Sequence, residues 1–184
     1  MTKENDVVDY YNLKLDDLTG KLLKVYMYQN VQNIQEIHEK LVSKELPCCI
    51  VKAELVIDPF QIAIAANKAV LNEKYGQMVT RSLFTEIIFN LSISKNITQS
   101  LTTFGISKDT SNILVILIHD SGEQEAVEKS VLEQINGNRV SITRLPEFSN
   151  VNLIKKTYKV SQEELEVSNL LDSIVSRISD KVVK

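Results

Sequence analysis

Cysteine and histidine are the side chains of this sequence best suited to chemistry, and their placement argues against a catalytic use. Cys48 and Cys49 are neighbours, whereas His38 and His119 are each isolated. A catalytic thiol needs a positioned base and a lowered pKa, and the sequence shows neither beside the cysteines. Because adjacent cysteines rarely meet disulfide geometry, we expect reduced thiols in a cytosolic or nuclear chain. We interpret Cys48 and Cys49 as small core residues.

Signatures of cofactor and metal binding are also missing from the sequence. The five glycines form neither a Walker-type phosphate loop nor a dinucleotide-binding triplet. The acids Glu123, Glu125 and Glu128 have the pattern of a charged helix start rather than of a metal site. The sequence therefore predicts a protein that is not an enzyme and that has no catalytic residue, metal or cofactor.

Four cations in the middle of the chain offer a different chemistry. Lys68, Lys74, Arg81 and Lys95 are opposed by only two acids between residues 59 and 96, although the whole chain has a net charge of −3. Such a group is usually a solvated helix face, but it can also contact phosphates. The overall acidity argues against a surface that coats nucleic acid everywhere and still allows a local basic patch.

Length and composition predict one domain with a real core. The chain has 184 residues, of which 43% are hydrophobic and 24% charged, and a chain of this size buries roughly 70% of its extended surface. No apolar run reaches the length of a membrane span, and the first residues lack a signal-peptide pattern. We therefore expect a single domain over residues 1–184 that does not enter a membrane.

Three helix starts position the central cations. Asp58 can cap a helix, and Pro59 fits the first helical turn. A second start lies near Thr80, ahead of an apolar face with helical spacing, and a third lies at Asn96. Gly105 ends the third segment, where glycine suits the left-handed conformation past a helix end.

The other elements alternate between short strands and helices. Strand-like segments are Lys21–Gln29, Cys49–Val56, Ile113–Ile118 and Val140–Thr143. Further helices are expected after a cap at Asn30, from Glu123 to Asn136, and after Ser161, whose spacing to Glu164 is that of a capping box. Strands separated by helices ordinarily suggest parallel crossovers, and the residues alone leave that arrangement nearly tied with an antiparallel sheet.

Three of these segments, VIDPFQIAIAANKAV, TRSLFTEIIFNLS and NITQSLTTFGIS, resemble the PRPK-binding protein family, the small kinase-binding subunit of the KEOPS (or EKC) complex. The similarity continues weakly through LIKKTYKV into SNLLDSIVSRIS and covers most of the chain from about Leu22 onward. It implies an α+β fold in which a small, mostly antiparallel sheet of about four strands packs against several helices. The acidic, tyrosine-bearing start departs from the family pattern, so residues 1–12 are a candidate disordered segment.

The resemblance also implies a function. The protein would be a non-catalytic subunit that binds and supports the small atypical kinase of the complex and reaches the other subunits through it, in cytoplasm and nucleus. It would help recruit tRNA by its CCA end for threonylcarbamoyl modification of the adenosine beside the anticodon. Lys68 in AANKAV and Arg81 in MVTRSL stand where the family match is best, and with Lys74 and Lys95 they are the predicted tRNA contacts.

The terminal helix is the predicted kinase interface. Its apolar stripe is wider than a small sheet needs, and the resemblance favours Leu170, Leu171, Ile174 and Ile178 as the kinase-facing residues. From the residues alone, core and interface are equally supported for Leu171 and Ile174.

Two other functions stay open on the sequence. The chain could be a stand-alone regulator that binds and restrains a kinase without a role in tRNA modification. It could also be a small-molecule enzyme whose site forms only at a partner interface. Loss of the modified nucleoside on depletion would separate the complex subunit from the regulator, and the enzyme requires turnover by the isolated chain.

Overall fold

The computed structural model describes residues 10–120 and 125–182, and these residues form one α+β domain. The strands are β1 (Tyr10–Lys14), β2 (Lys21–Gln29), β3 (Cys49–Lys52), β4 (Ile113–Asp120) and β5 (Asn138–Val140). The α-helices are α1 (Ile34–Val42), α2 (Pro59–Lys74), α3 (Leu83–Leu91), α4 (Ile97–Phe104), α5 (Glu125–Glu133), α6 (Val151–Tyr158), α7 (Gln162–Leu165) and α8 (Leu170–Asp180). Short 3₁₀ helices span Ala53–Leu55 and Ile142–Glu147.

The sheet is antiparallel at every strand pair, which confirms the fold class that the resemblance implied. The strand order is β1-β2-β4-β3, and β5 pairs with the end of β2. Both β2 and β3 run antiparallel to β4. They are therefore parallel to each other, with β4 inserted between them. A helix thus joins two parallel strands that are not neighbours, which explains why the strand-helix alternation alone left the sheet type undecided.

The two faces of the sheet bury separate apolar cores. Along β2, Leu23, Val25 and Met27 lie in the larger core, whereas Tyr26 and Tyr28 lie in the smaller one, as the alternation of side chains along a strand requires. Helices α2, α3, α4, α6 and α8 contribute to the larger core, and α1 and α5 to the smaller. Helices therefore cover both faces, which accounts for the continuous apolar sequence of β4.

Capping side chains set the starts of α2, α3 and α4. Asp58, Ser82 and Asn96 each accept a hydrogen bond from a backbone amide two or three residues further on. The predicted starts at Asp58 and Asn96 are confirmed, and the cap of α3, Ser82, lies two residues after the start predicted near Thr80. The predicted cap at Asn30 is wrong, because that residue is left-handed with a φ of 53° and Asn33 precedes α1.

Gly105 ends α4 for a different reason from the predicted one. Its φ is −67°, so it is not left-handed. The Gly105 amide donates to the Leu101 carbonyl at 2.9 Å, and a Cβ on Gly105 would lie 2.4 Å from that oxygen. Glycine is therefore required here by the close approach to the helix end, not by the backbone angle.

Several other boundaries differ from the sequence expectations. Residues 10–12, assigned to a disordered segment, lie in β1, and residues 1–9 fall outside the described residues. The last strand is Asn138–Val140 rather than Val140–Thr143, because Ser141 caps a 3₁₀ helix. The predicted helix from Glu123 is described from Glu125 onward, and Glu123 itself is outside the described residues. Near the end of the chain, α7 and α8 are separate helices with their own caps at Ser161 and Asn169.

Tyr158 joins three helices of the larger core. Its hydroxyl donates to the Leu91 carbonyl at 2.5 Å and accepts from Gln61 Nε2 at 2.8 Å. Its ring packs edge-on against Phe104, with centroids 5.8 Å apart. Burial raises the pKa of Tyr158, so the group donates as a neutral hydroxyl. The Leu91 carbonyl stands at the end of α3, where it has no partner within the helix, and the phenol supplies one.

We expect Tyr158→Phe to lower the free energy of unfolding by about 1–3 kcal/mol, because it leaves the buried Leu91 carbonyl unpaired. Urea denaturation measures the change. Tyr75→Phe is the control, since the Tyr75 side chain is exposed and its replacement should cost less than about 0.5 kcal/mol. Equal, small losses for the two variants would contradict the role given to the Tyr158 hydroxyl.

Candidate functional site

Of the four cysteine and histidine side chains, three are buried in the structure, and His38 is exposed on α1. Cys48 and Cys49 are both 1% exposed. Burial raises the pKa of the Cys48 thiol to about 12 and that of Cys49 well above its usual value. His119 is buried on β4, with its Nε2 3.4 Å from a carboxylate oxygen of Glu128. In the part of the chain that the structure describes, no three His, Cys, Asp or Glu side chains are placed to hold a metal ion.

A buried carboxylate shapes the connection between α2 and α3, residues 75–82. Glu86 is fully buried and accepts hydrogen bonds from the amides of Val79 and Thr80, at 3.1 and 2.8 Å. It also accepts from the Asn72 side chain, 3.1 Å away. Glu86 is one of the two acids that oppose the four central cations in the sequence, and its hydrogen bonds hold the α2–α3 connection in place.

The α2–α3 connection presents an aromatic ring and a cation to solvent. Tyr75 is 56% exposed, and Arg81 is exposed at the other end of the connection. Lys74, next to Tyr75, is exposed and donates to the carbonyl of Leu18. The sequence analysis missed Tyr75, although its place at a helix end just before Gly76 was a signal of exposure.

The ammonium of Lys68 binds the C-terminal end of α8. It donates to the carbonyls of Ile178, Ser179 and Lys181, at 3.1, 3.4 and 2.5 Å. These carbonyls are at the C-terminal end of α8, where a positive charge is favourable. Partial burial lowers the pKa of Lys68.

Lys181 makes the reciprocal contact and was missed by the sequence analysis. Its ammonium donates to the carbonyls of Phe89 and Ser92, at the end of α3, and lies over the Phe89 ring. The residue is 9% exposed. Burial, with the nearby charges of Lys68 and Lys95, lowers the pKa of Lys181 to about 8.

The four predicted RNA-contacting cations therefore fall into two groups at opposite ends of α3. Lys74 and Arg81 lie at its start, whereas Lys68 and Lys95 lie near its end together with Lys181. The nine residues of α3 separate the groups by about 14 Å.

The four predicted kinase-facing residues are also divided. Ile174 and Ile178 are 0% exposed and belong to the larger core, so they cannot form a surface in this chain. Leu170 is partly exposed and packs against that core. Leu171 is partly exposed, as is Val175 one helical turn further on. The outward edge of α8 thus consists of Leu171 and Val175, with Leu170 at its side.

An ion pair fixes α7 against this helix. The Arg177 guanidinium donates to both carboxylate oxygens of Glu164, at 2.6 and 2.7 Å. Its hydrogen bonds hold the pKa of Glu164 at about 2.

None of the described helices has the length and apolar character needed to cross a bilayer.

Comparison with known proteins gives these surfaces a context. The sequence profile of a family described as kinase binding protein CGI-121 matches residues 28–182. The chain is 34% identical over 157 residues to the EKC/KEOPS complex subunit TPRKB of Danio rerio, which covers 85% of this chain and 89% of that protein. It is 40% identical over 112 residues to the EKC/KEOPS complex subunit CGI121 of Kluyveromyces lactis, covering 60% of this chain and 70% of that protein. The cgi121 subunit of Schizosaccharomyces pombe is 29% identical over 159 residues, 84% of this chain and 90% of its own.

The lowered pKa of Lys181 predicts how stability depends on pH. In the folded chain this pKa is about 8, against an ordinary value of 10.5, so the unfolded chain binds more protons between the two values. Linkage then requires the contribution of Lys181 to the free energy of unfolding to increase from about pH 8 to pH 10.5. The stability difference between the native chain and Lys181→Met should therefore shift in favour of the native chain over this window.

Urea denaturation of both chains between pH 7 and pH 10 measures that difference, because titrations common to the two chains cancel. Lys108→Met is the control, since Lys108 is exposed and its substitution removes the same charge without touching α3. A stability difference for Lys181→Met that changes with pH no more than that for Lys108→Met would place the ammonium of Lys181 in water rather than against α3.

Proposed function

This chain belongs to the CGI-121 family of kinase-binding proteins, and we propose that it is the non-catalytic, kinase-binding subunit of an EKC/KEOPS complex. The family match over residues 28–182 carries the proposal. Relatives named as EKC/KEOPS subunits in a fish and in two fungi support the choice of complex. In the proposal, the direct partner is the small atypical kinase, the other subunits are reached through it, and the complex modifies tRNA in cytoplasm and nucleus.

We assign the kinase contact to the outward edge of α8. Leu171 and Val175 are apolar, partly exposed and outside both apolar cores. An apolar pair one turn apart on a helix is a common form of helix-mediated recognition. Leu170 extends the surface on one side, and the buried Ile174 and Ile178 support it from within.

We assign the tRNA contact to the surface that runs along α3 from the α2–α3 connection to Lys95. Proteins grip single-stranded nucleic acid by combining positive charge with aromatic stacking. Tyr75 supplies an exposed ring and Arg81 an exposed guanidinium at one end, and Lys95 supplies an exposed ammonium at the other. Lys68 and Lys74 add charge to this surface while their ammonium groups hold backbone carbonyls. A single-stranded CCA end is the substrate element that such a surface suits.

Leu171→Glu should weaken binding of the purified kinase by about tenfold or more, the loss typical of a central interface residue. Glutamate is tolerated in the first turn of a helix, so α8 should stay folded. Isothermal titration calorimetry measures the affinity, and a cooperative thermal transition shows that the variant is folded.

Val167→Glu is the matched control for the kinase interface. Val167 is 89% exposed and lies in the segment between α7 and α8. It should bind the kinase as the native chain does. Native-like affinity of Leu171→Glu would show that the kinase uses another face. Ile174→Glu is uninformative, because it would bury a charge in the core.

Binding of tRNA with an intact CCA end should weaken with salt. For about three phosphate contacts, the logarithm of the association constant should fall against the logarithm of the salt concentration with a slope near −2. Arg81→Ala and Lys95→Ala should each reduce the magnitude of that slope by about 0.7.

Fluorescence anisotropy over a range of KCl concentrations measures these slopes. Lys108→Ala, in the connection between α4 and β4, removes an exposed lysine away from α3 and should leave the slope unchanged. If all three variants keep the native slope, the cations along α3 do not contact phosphates. Kinase binding would be unaffected by that result.

A further inference from the structure

A basic groove opens beside the C-terminal end of α8. Its volume is about 550 Å³, and its walls come from the segment after α3, the end of α6 and the last turn of α8. Four of the lining residues are cations and one is an acid, namely Lys95, Lys159, Arg177 and Lys181 against Asp180. Only Lys95 among the four cations was singled out from the sequence.

Two of the four cationic side chains already have hydrogen-bond partners in the described part of the chain, and two do not. Arg177 is paired with Glu164, and the ammonium of Lys181 is turned inward to the carbonyls of Phe89 and Ser92. Lys95 and Lys159 are exposed, and within the described residues their ammonium groups make no hydrogen bond or ion pair. The groove therefore has two cations that are available to a ligand and two that are fixed.

The backbone fixes the position of Lys159. This residue has a φ of 54° and stands at the C-terminal end of α6, where its carbonyl accepts a hydrogen bond from Arg177 at 3.1 Å. The side chain thus starts from a rigid point at the rim of the groove. Lys44, just past the end of α1, is also left-handed, but it does not line this groove.

Positive charge is concentrated here without enough carboxylate to balance it. Burial lowers the pKa of Lys181, and the charges of Lys68 and Lys95 lower it further against the opposing charge of Glu86, in a chain that is acidic as a whole. Like charges held together in a folded protein raise its free energy, and an anion placed among them lowers it. The groove is therefore favourable for an anion before any specific contact is counted.

We propose that this groove binds a phosphate group, with Lys95 and Lys159 as its direct ligands and Lys181 and Arg177 as fixed charges behind them. A phosphate offers several acceptor oxygens, so it can receive hydrogen bonds from more than one lysine at the same time. The Ser176 hydroxyl, also in the lining, is a further donor. Ile93 and Val182 give the groove apolar edges on which the organic part of a phosphate ester can lie.

The phosphate can belong to a polynucleotide backbone or to a small free phosphoanion, and both fit the same charges. In the first case the groove rests on the RNA role proposed above and extends the RNA-binding surface by one backbone phosphate, bound between Lys95 and Lys159. The groove does not depend on that role, since a free phosphoanion would use the same lysines.

An NMR titration of the ¹⁵N-labelled full chain distinguishes these cases. One arm uses pyrophosphate and the other a single-stranded RNA hexamer, both at constant ionic strength set with KCl. We expect saturable shifts of the amides of Lys95, Lys159 and Lys181. Saturation by both probes or by pyrophosphate alone indicates a free phosphoanion site, and saturation by RNA alone indicates a backbone phosphate. Shifts spread evenly over the lysines of the chain, or no saturation by either probe, would overturn the proposal.

Two substitutions test the direct ligands. Lys95→Ala and Lys159→Gly should each lower the affinity for whichever probe saturates the groove by about 2–5-fold, the range for an exposed charge pair. Glycine keeps the left-handed backbone of Lys159 without strain. Lys44→Gly is a closely matched control, because Lys44 is also exposed just past a helix end and has a φ of 62°.

The control variant should bind as the native chain does. Equal affinities of all three variants would overturn the assignment of the groove. If Lys95→Ala and Lys159→Gly leave the affinities for pyrophosphate and RNA unchanged while Arg81→Ala reduces RNA affinity, the groove proposal fails and the RNA surface along α3 stands.

Discussion

The buried hydrogen bond between Gln61 and Tyr158 is the contact on which the helical layer depends. Gln61 Nε2 also donates to the Leu55 carbonyl, at 3.1 Å, and its Oε1 accepts from the Ile57 amide at 3.0 Å. The Gln61 side chain therefore pairs two backbone groups of the turn before α2, and the Tyr158 hydroxyl pairs the Leu91 carbonyl at the end of α3. Burying two polar side chains is favourable only because almost every polar atom finds a partner. The same network sets the relative positions of α2, α3 and α6, from which the surface along α3 and the basic groove are built.

Lys68 and Lys181 place positive charge at the C-terminal ends of two helices. Lys68, on α2, caps the C-terminal end of α8, and Lys181, just after α8, caps the end of α3. Carbonyl oxygens at a negative helix end offset part of the cost of burying each ammonium, although burial still lowers the pKa of both lysines. A carboxylate in direct contact would have neutralised each charge, whereas the neutral carbonyl groups hold the ammonium groups in place without doing so. This explains how an acidic chain keeps a local positive potential.

Local signals in the sequence were sufficient for the elements and insufficient for the surfaces. Asp58 and Asn96 start helices because their caps act over two or three residues, and β4 was evident from its continuous apolar residues. By contrast, β1 exists because of its pairing with β2, and the contact of Lys181 with Ser92 spans 89 residues. No local pattern contains such information. The stripe on α8 shows the same limit, since helical spacing placed its apolar residues together, but only packing against α2 decides which of them face the core.

The position of both proposed surfaces on α8 has a consequence for how they act together. The apolar edge at Leu171 lies in the first turn of the helix, and Arg177 and Lys181 border the groove at its other end. Lys68 contacts the C-terminal end of the helix, and Asn169 caps its start. The two surfaces therefore share one helix that is anchored at both ends. Because binding free energies are linked reciprocally, a phosphate that favours kinase binding must itself bind more tightly to the kinase-bound chain, by the same factor.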